Sequence, residues 1–526
     1  MVAVLPILVV LVMLGVMRRP AWQASLGGLI VAFVIAVLIW QFPVRLALDA
    51  VAAGAMFAIW PVMWIVFNAL LLYNIAVASG RFDAFRDWVL EHLPNDRRIV
   101  LVVIGFCFGC LLEGISGFGT PVAITSALLI MVGFPPLEAL TFTLIFNTAP
   151  VAFGALGVPV TVLGQVTGLP AAQLGAMIGR QLPFMAMLLP FYVMALYGGM
   201  RSVRALWPVL LVAGSSFAIA QFVSSNYLDY ALTDVLSSLS SLIVTLLFLR
   251  VWSPRPDPEF IINVPVASNK PVASQGSALP ATGKTPANWQ GWIPWLVVSI
   301  VVIVWTHLKI FAIGQRIIPW PGLHNQVFIT LYNKPYAANY VFQPFATGTA
   351  ILLAAIITAA LVGIGPGRFF KAVVATWRQS RIAILTVMLI IGLAYLMNYS
   401  GLNYTLGLGV SSVGMLFPLV SPFLGWVAVF LSGSDTSGNA LFGNLQVVAA
   451  NQLGLNPVLI AASNSSGGVM GKMISPQNIA TGVSVTNLKG QEGVVFARTF
   501  KHSIVLTVLL GIIVVLQQYV VPWMIP

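Results

Sequence analysis

Charge is what this sequence has least of. Only 7% of its 526 residues are Asp, Glu, Lys or Arg, where a soluble globular protein averages about 25%. So few charges cannot cover a water-facing surface, which excludes a soluble globule. Metal ligands are equally thin, with two cysteines and four histidines. Cys107 and Cys110 form a lone CxxC inside an apolar run, with no further Cys or nearby His to complete a zinc site. They read as two small residues on one face of a buried helix. There is no HExxH pair, no redox-cofactor motif and no convincing Ser–His pair, so an enzyme is the weakest reading and no cofactor or metal is expected. Gly283-Lys284-Thr285 ends like a phosphate loop, but the leading glycine would fall at 278, where Ala278 stands.

Apolar residues are abundant instead, at 59% of the chain. Runs near 2–17, 22–40, 46–79, 137–157, 182–199, 205–222, 228–250, 291–308, 343–365, 381–398, 457–475 and 500–521 suit spans of about 20 residues. The expected fold is all-α and integral to a cell membrane, with about 12 transmembrane helices. The run 46–79 is too long for one straight helix and holds Pro61, which predicts a break. Met1–Gly15 has no basic region ahead of its apolar run and reads as a retained span. Basic residues near spans mark the cytoplasmic side. With Arg18 and Arg19 inside, alternation places 19 of the 25 Lys and Arg inside, in loops at 81–98, 201–204, 251–290, 368–381 and 489–501. Arg45, Arg180, Lys309, Arg316 and Lys334 fall outside or near the outer face, Lys472 lies at membrane depth, and both termini are outside. The net charge of +12 is spread over several loops, which argues against a nucleic-acid partner.

Two regions break the helical pattern without looking like exposed loops: Leu111–Pro121 (LLEGISGFGTP) and Phe430–Asn439 (FLSGSDTSGN). Short apolar arms flank each, as in re-entrant hairpins. Irregular backbone at membrane depth is tolerated only where it is buried in protein or lines a watery cavity. The halves of the chain also match. Ser79-Gly80 pairs with Ser400-Gly401, Gly114 with Gly433, and Gly119 with Gly438. Asn147, Gly154 and Pro159 pair with Asn464, Gly471 and Pro476 at identical spacings. The stretch after Gly80 is charged, whereas that after Gly401 is not, so the two repeats have inverted topology. Broken segments in inverted repeats mark secondary transporters. The expected organisation is N-terminal helices (1–44), a first repeat with hairpin 1 (45–250), a flexible cytoplasmic linker (251–290), a linking helix with an aromatic external loop (291–342) and a second repeat with hairpin 2 (343–526).

FCFGCLLEGISGFGTPVAITSALL, LIFNTAPVAFGALGVPV, GRQLPFM, SGSDTSGNALFGNLQ and SNSSGGVMGKMISPQNIA strongly resemble the L-lactate permease family, over about 40–250 and 340–510. The resemblance implies a bacterial or archaeal proton symporter of lactate and, in several members, glycolate. The alternative is a transporter of another small organic anion, coupled to Na⁺. The partners expected are that anion, protons and the bilayer; a homodimer is left open.

A 2-hydroxycarboxylate needs anion donors and little room. Half-helix N-termini supply N–H groups and a favourable dipole, and unwound ends are expected at Asn147–Pro150 and Asn464–Gly468. Asn147, Thr148, Asn464, Ser465 and Ser466 add polar side chains, as do Ser434 and Thr436 at the hairpin 2 tip; the bland role for such residues is helix–helix glue. Glu113 and Asp435 are the acids at the hairpin tips. Intramembrane carboxylates are costly and mark ion or proton pathways by default, so Asp435, with Glu113 as rival, is expected to carry the coupled proton. Lys472 is the candidate counter-charge, for the substrate or for Asp435. Arg180 is a second, with snorkelling the plain alternative. Gln477 is placed on the substrate hydroxyl. His502 is an interfacial histidine or a proton relay. Gly114, Gly117, Gly119, Gly433 and Gly438 are expected to let the hairpin arms bend and close.

Overall fold

The computed structural model describes the chain apart from residues 1, 14–16, 18, 116–119, 263–286, 333, 487 and 489–490. Gly117 and Gly119 therefore lie outside the described residues. Among those described, nine helices are long and apolar enough to cross a membrane, or ten if the bent pair Pro136–Phe146 and Val151–Thr167 forms one span. Some runs are continuous where a dozen separate spans were expected. Ala171–Leu228 forms one helical stretch, kinked at Gly199, whose φ of +66° suits glycine. The break at Pro61 is present: Val44–Phe57 and Trp64–Ala78 are separated by Ala58–Met63, in which Trp60 leaves helical geometry.

Three expectations change. The helix placed at 381–398 runs from Pro366 to Tyr399. Its early turns are amphipathic, with Arg368, Lys371, Arg378 and Arg381 exposed and Ala372, Thr376 and Ser380 buried, so charge there marks a helix face and not a loop. The external loop is not wholly irregular, since Arg316–Pro319 pairs antiparallel with Asn339–Phe342, and Phe328–Ile329 with Lys334–Pro335. The described start of the linker is tied down. Arg97 donates to the Glu259 carbonyl at 2.6 Å, and Arg98 and Arg201 pair with Asp257 at 3.5 and 3.4 Å. Arg98 also stacks on the Phe260 ring, 4.5 Å from its centre.

The helices pack in two groups. Ala21–Leu38, Val44–Phe57, Trp64–Ala78, Thr347–Leu361 and Pro366–Tyr399 pack on one another. The hairpins and broken helices form the second group, centred on Phe417–Ser432 against Pro457–Lys472. Contacts sort the loop ends onto two faces. Residues 97, 133, 201, 257 and 259 meet on one face, the face that the charge rule assigns to the cytoplasm. Arg180, Asn226 and Met524 meet at the other.

Candidate functional site

Hairpin 1 comprises Arg97–Ile115 and Thr120–Met131. Hairpin 2 comprises Phe417–Ser432 and Asp435–Leu453. Its turn follows from local sequence. Gly433 takes φ +70° to end the first arm, and Ser434 caps the second by accepting from the Ser437 N–H. Asp435 thereby falls in the first helical turn, where a negative charge suits the helix dipole.

The broken helices bring the rest. In the first repeat, Pro136–Phe146 ends at Asn147, and Ala155, Leu156 and Gly157 are left-handed just ahead of Pro159. In the second repeat, Pro457–Lys472 ends at Met473–Ser475, just ahead of Pro476. Asn464–Gly468, expected to be unwound, lie inside that continuous helix. Its glycines serve close packing instead. A Cβ on Gly467 would stand 2.0 Å from the Pro422 carbonyl oxygen, and one on Gly471 would stand 2.3 Å from that of Trp426. From the facing helix, a Cβ on Gly425 would meet the Asn464 carbonyl oxygen at 1.8 Å.

Between the hairpins lies a small cavity of about 50 Å³, bordered by Glu113, Gly154, Asp435, Thr436, Lys472 and Gln477. Ser434 also reaches it. Lys472 Nζ donates to Glu113 Oε1 at 2.6 Å, and Asn147 Nδ2 donates to Glu113 Oε2 at 3.0 Å. Both charged groups are buried, at 7% and 3% side-chain exposure, so the pair is strong only while intact. Lys472 thus joins Glu113 and not Asp435. Asp435 Oδ2 accepts from Ser465 Oγ at 2.5 Å and from Asn439 Nδ2 at 3.2 Å, while Oδ1 has no hydrogen-bond partner among the described residues. Asn464 sits one layer behind, donating to Asn439 Oδ1 at 2.9 Å and accepting from Gln446 Nε2 at 3.0 Å.

Other expected residues are elsewhere or otherwise engaged. Arg180 donates to Asn226 Oδ1 and the Met524 carbonyl, joining helix ends, and does not border the cavity. His502 meets the Tyr192 hydroxyl at 2.5 Å through Nδ1 and touches neither tip acid. Thr148 turns back onto the Ile145 carbonyl, and Ser466 donates to Gln181. Gly114 and Gly438 are close-approach positions: added Cβ atoms would stand 2.8 Å from Asp234 Cβ and 2.7 Å from Val429 Cγ2.

Three polar residues escaped the sequence reading. Asn439 links Asp435, Asn464 and the Pro159 carbonyl; it lies one helical turn after Asp435, a spacing that marks a shared face. Asn478 donates to the carbonyls of Gly433 and Lys472, tying the hairpin 2 tip to the break. Asp234 is a further buried acid, at 0% exposure, hidden in an apolar run. A second, larger cavity of about 570 Å³ lies under the external loop, lined by Tyr336, Tyr395 and Tyr399 among others.

Known proteins resemble this chain in sequence. The sequence model described as L-lactate permease matches residues 1–521. Glycolate permease GlcA of Escherichia coli K12 is 42% identical, over 99% of this chain and 96% of the relative. The L-lactate permeases of E. coli K12 and Bacillus subtilis are 40% and 39% identical over the whole chain, covering 97% and 96% of those proteins. Among solved structures, Neisseria gonorrhoeae MtrF, described within a class of antimetabolite efflux pumps, superposes with a TM-score of 0.51 at 12% identity, covering 97% of each chain. That likeness concerns the fold alone.

Proposed function

The chain belongs to the L-lactate permease family, and on that footing we propose that it is a proton-coupled symporter of L-lactate and glycolate in the bacterial cell membrane. The substrates follow the relatives' names. The observation that carries the coupling is the buried Lys472–Glu113 pair on the cavity.

The argument is one of charge balance. Lys472 is the cavity's cation, and Glu113 already neutralises it. A substrate carboxylate that takes Lys472 leaves Glu113 ionised in a low-dielectric site, at a cost of several kcal/mol. A proton on Glu113 removes that cost, so one anion enters with one proton. The substrate hydroxyl then has Asp435 and Gln477 bordering the same cavity. This assigns the coupled proton to Glu113 and leaves Asp435 as a hydroxyl acceptor.

The test is uptake of labelled L-lactate into proteoliposomes under an imposed ΔpH or an imposed Na⁺ gradient. Uptake driven by ΔpH alone is expected. Uptake driven only by Na⁺, or none under either gradient, overturns the reading.

A further inference from the structure

Asp234 opens the Thr233–Val251 helix and is fully buried. Neither of its carboxyl oxygens has a hydrogen-bond partner among the described residues. It packs directly against hairpin 1, since a Cβ on Gly114 would stand 2.8 Å from Asp234 Cβ and 3.3 Å from its carbonyl carbon. Glu113, the next residue in the hairpin, is the acid that holds Lys472.

The ionisable groups around Asp234 are few. Glu113 and Cys110 on hairpin 1, and Lys472 on the broken helix, lie within electrostatic range of it. Tyr230, in the turn just before it, is occupied with the Thr161 hydroxyl at 3.2 Å. Along the packed Leu182–Val223 helix, Arg201 is engaged with Asp257 at the opposite end. Among the described residues the neighbourhood of the pair thus holds three acids, Asp234, Glu113 and Asp435, and one base, and the base is committed to Glu113. An ionised, unpartnered carboxylate in that place is expensive, so Asp234 is a neutral acid while the pair is intact.

We propose that Asp234 is the proton donor to Glu113, a positioning and relay residue for the symport described above, on which this inference rests. As Lys472 turns to the incoming anion, the carboxyl proton of Asp234 passes to the Glu113 carboxylate. Glu113 becomes the neutral acid and Asp234 the carboxylate. One proton from the medium restores Asp234, so the balance is one proton per anion. The site at Asp234 lies toward the outer helix ends, following the 224–232 turn that holds the Arg180 partner Asn226, which suits proton entry from outside.

The experiment uses the full chain in proteoliposomes with Asp234→Asn. Lactate:lactate exchange, which needs no net proton movement, is expected to stay near the wild-type rate. Net uptake driven by ΔpH should fall at least about tenfold. Wild-type net uptake in the variant overturns the proposal, as does a parallel loss of exchange and net uptake, which would mark a structural role. Infrared difference spectra of detergent-purified protein give a second readout. After rapid mixing with L-lactate, a new protonated-carboxyl band, that of Glu113, should grow in at least about tenfold more slowly in Asp234→Asn than in the wild type, and identical kinetics in both proteins overturn the assignment. If wild-type vesicles fail to respond to ΔpH, it is the symport reading that falls, whatever the variant does.

Discussion

The two hairpins are built alike and use their acids differently. Glu113 of hairpin 1 reaches across to the other repeat, where Lys472 is its partner. Asp435 of hairpin 2 stays with its own repeat, bound by Ser465 and Asn439, with its other oxygen buried beside Gly468 and unpartnered among the described residues. Inverted repeats give the two tips equivalent places in the fold, and the side chains break that equivalence. One tip carries a charge pair that a substrate can open; the other offers an acceptor.

Removing the shared cation should break the comparison most completely. Lys472→Met leaves Glu113 buried without its counter-charge, a loss of about 3–5 kcal/mol for a broken buried pair. Thermal unfolding in detergent should shift down markedly, with no lactate uptake. The double variant with Glu113→Gln should recover the unfolding temperature and not the uptake. Next comes the main-chain contact under hairpin 2. Gly425→Ala forces a methyl into the Asn464 carbonyl, and overpacking of this kind costs about 1–3 kcal/mol or more, to be read as lost monodisperse protein in size-exclusion chromatography. Glu113→Gln should keep exchange and lose ΔpH-driven accumulation, separating the two acids cleanly. Asp435→Asn should keep accumulation and raise the KM for lactate roughly tenfold, one hydrogen bond to a charged acceptor, with propionate competition affected less. If Asp435→Asn loses accumulation and Glu113→Gln does not, the roles are reversed. The smallest effects belong to Arg180→Gln and His502→Phe, which should leave KM and coupling within about twofold because neither side chain reaches the cavity.

Much of this was legible in the sequence because glycine, proline and rare charge carry position-specific meaning in an apolar chain. Gly433 before a Ser cap, Pro159 and Pro476 at matched breaks, and acids within interruptions all follow from backbone physics. Partner choice was not legible. Nothing in the spacing says that Lys472 selects Glu113, 359 residues away, over the nearer Asp435. The Asn464–Gly468 run was misread as unwound because glycine signals both a break and a close helix contact, and only the facing helix with Gly425 distinguishes them. Arg180 and His502 drew notice as charges in apolar surroundings, but each is absorbed by a neighbour that lies far away in sequence. Asp234 was overlooked because one acid in an apolar span resembles a span end.

The glycines at 425, 467 and 471 also bear on how freely this sequence can drift. Where a side chain fills a gap, another of similar volume can replace it, and the lipid-facing positions of Glu492–Tyr519 can vary widely under such a rule. Where main chain rests on main chain, no larger residue is admissible and there is no compensating partner to change. A saturation scan read by growth on lactate should therefore be nearly flat along the outer face of Glu492–Tyr519, with complete intolerance at three isolated positions in the middle of the hairpin 2 packing, none of which touches the cargo.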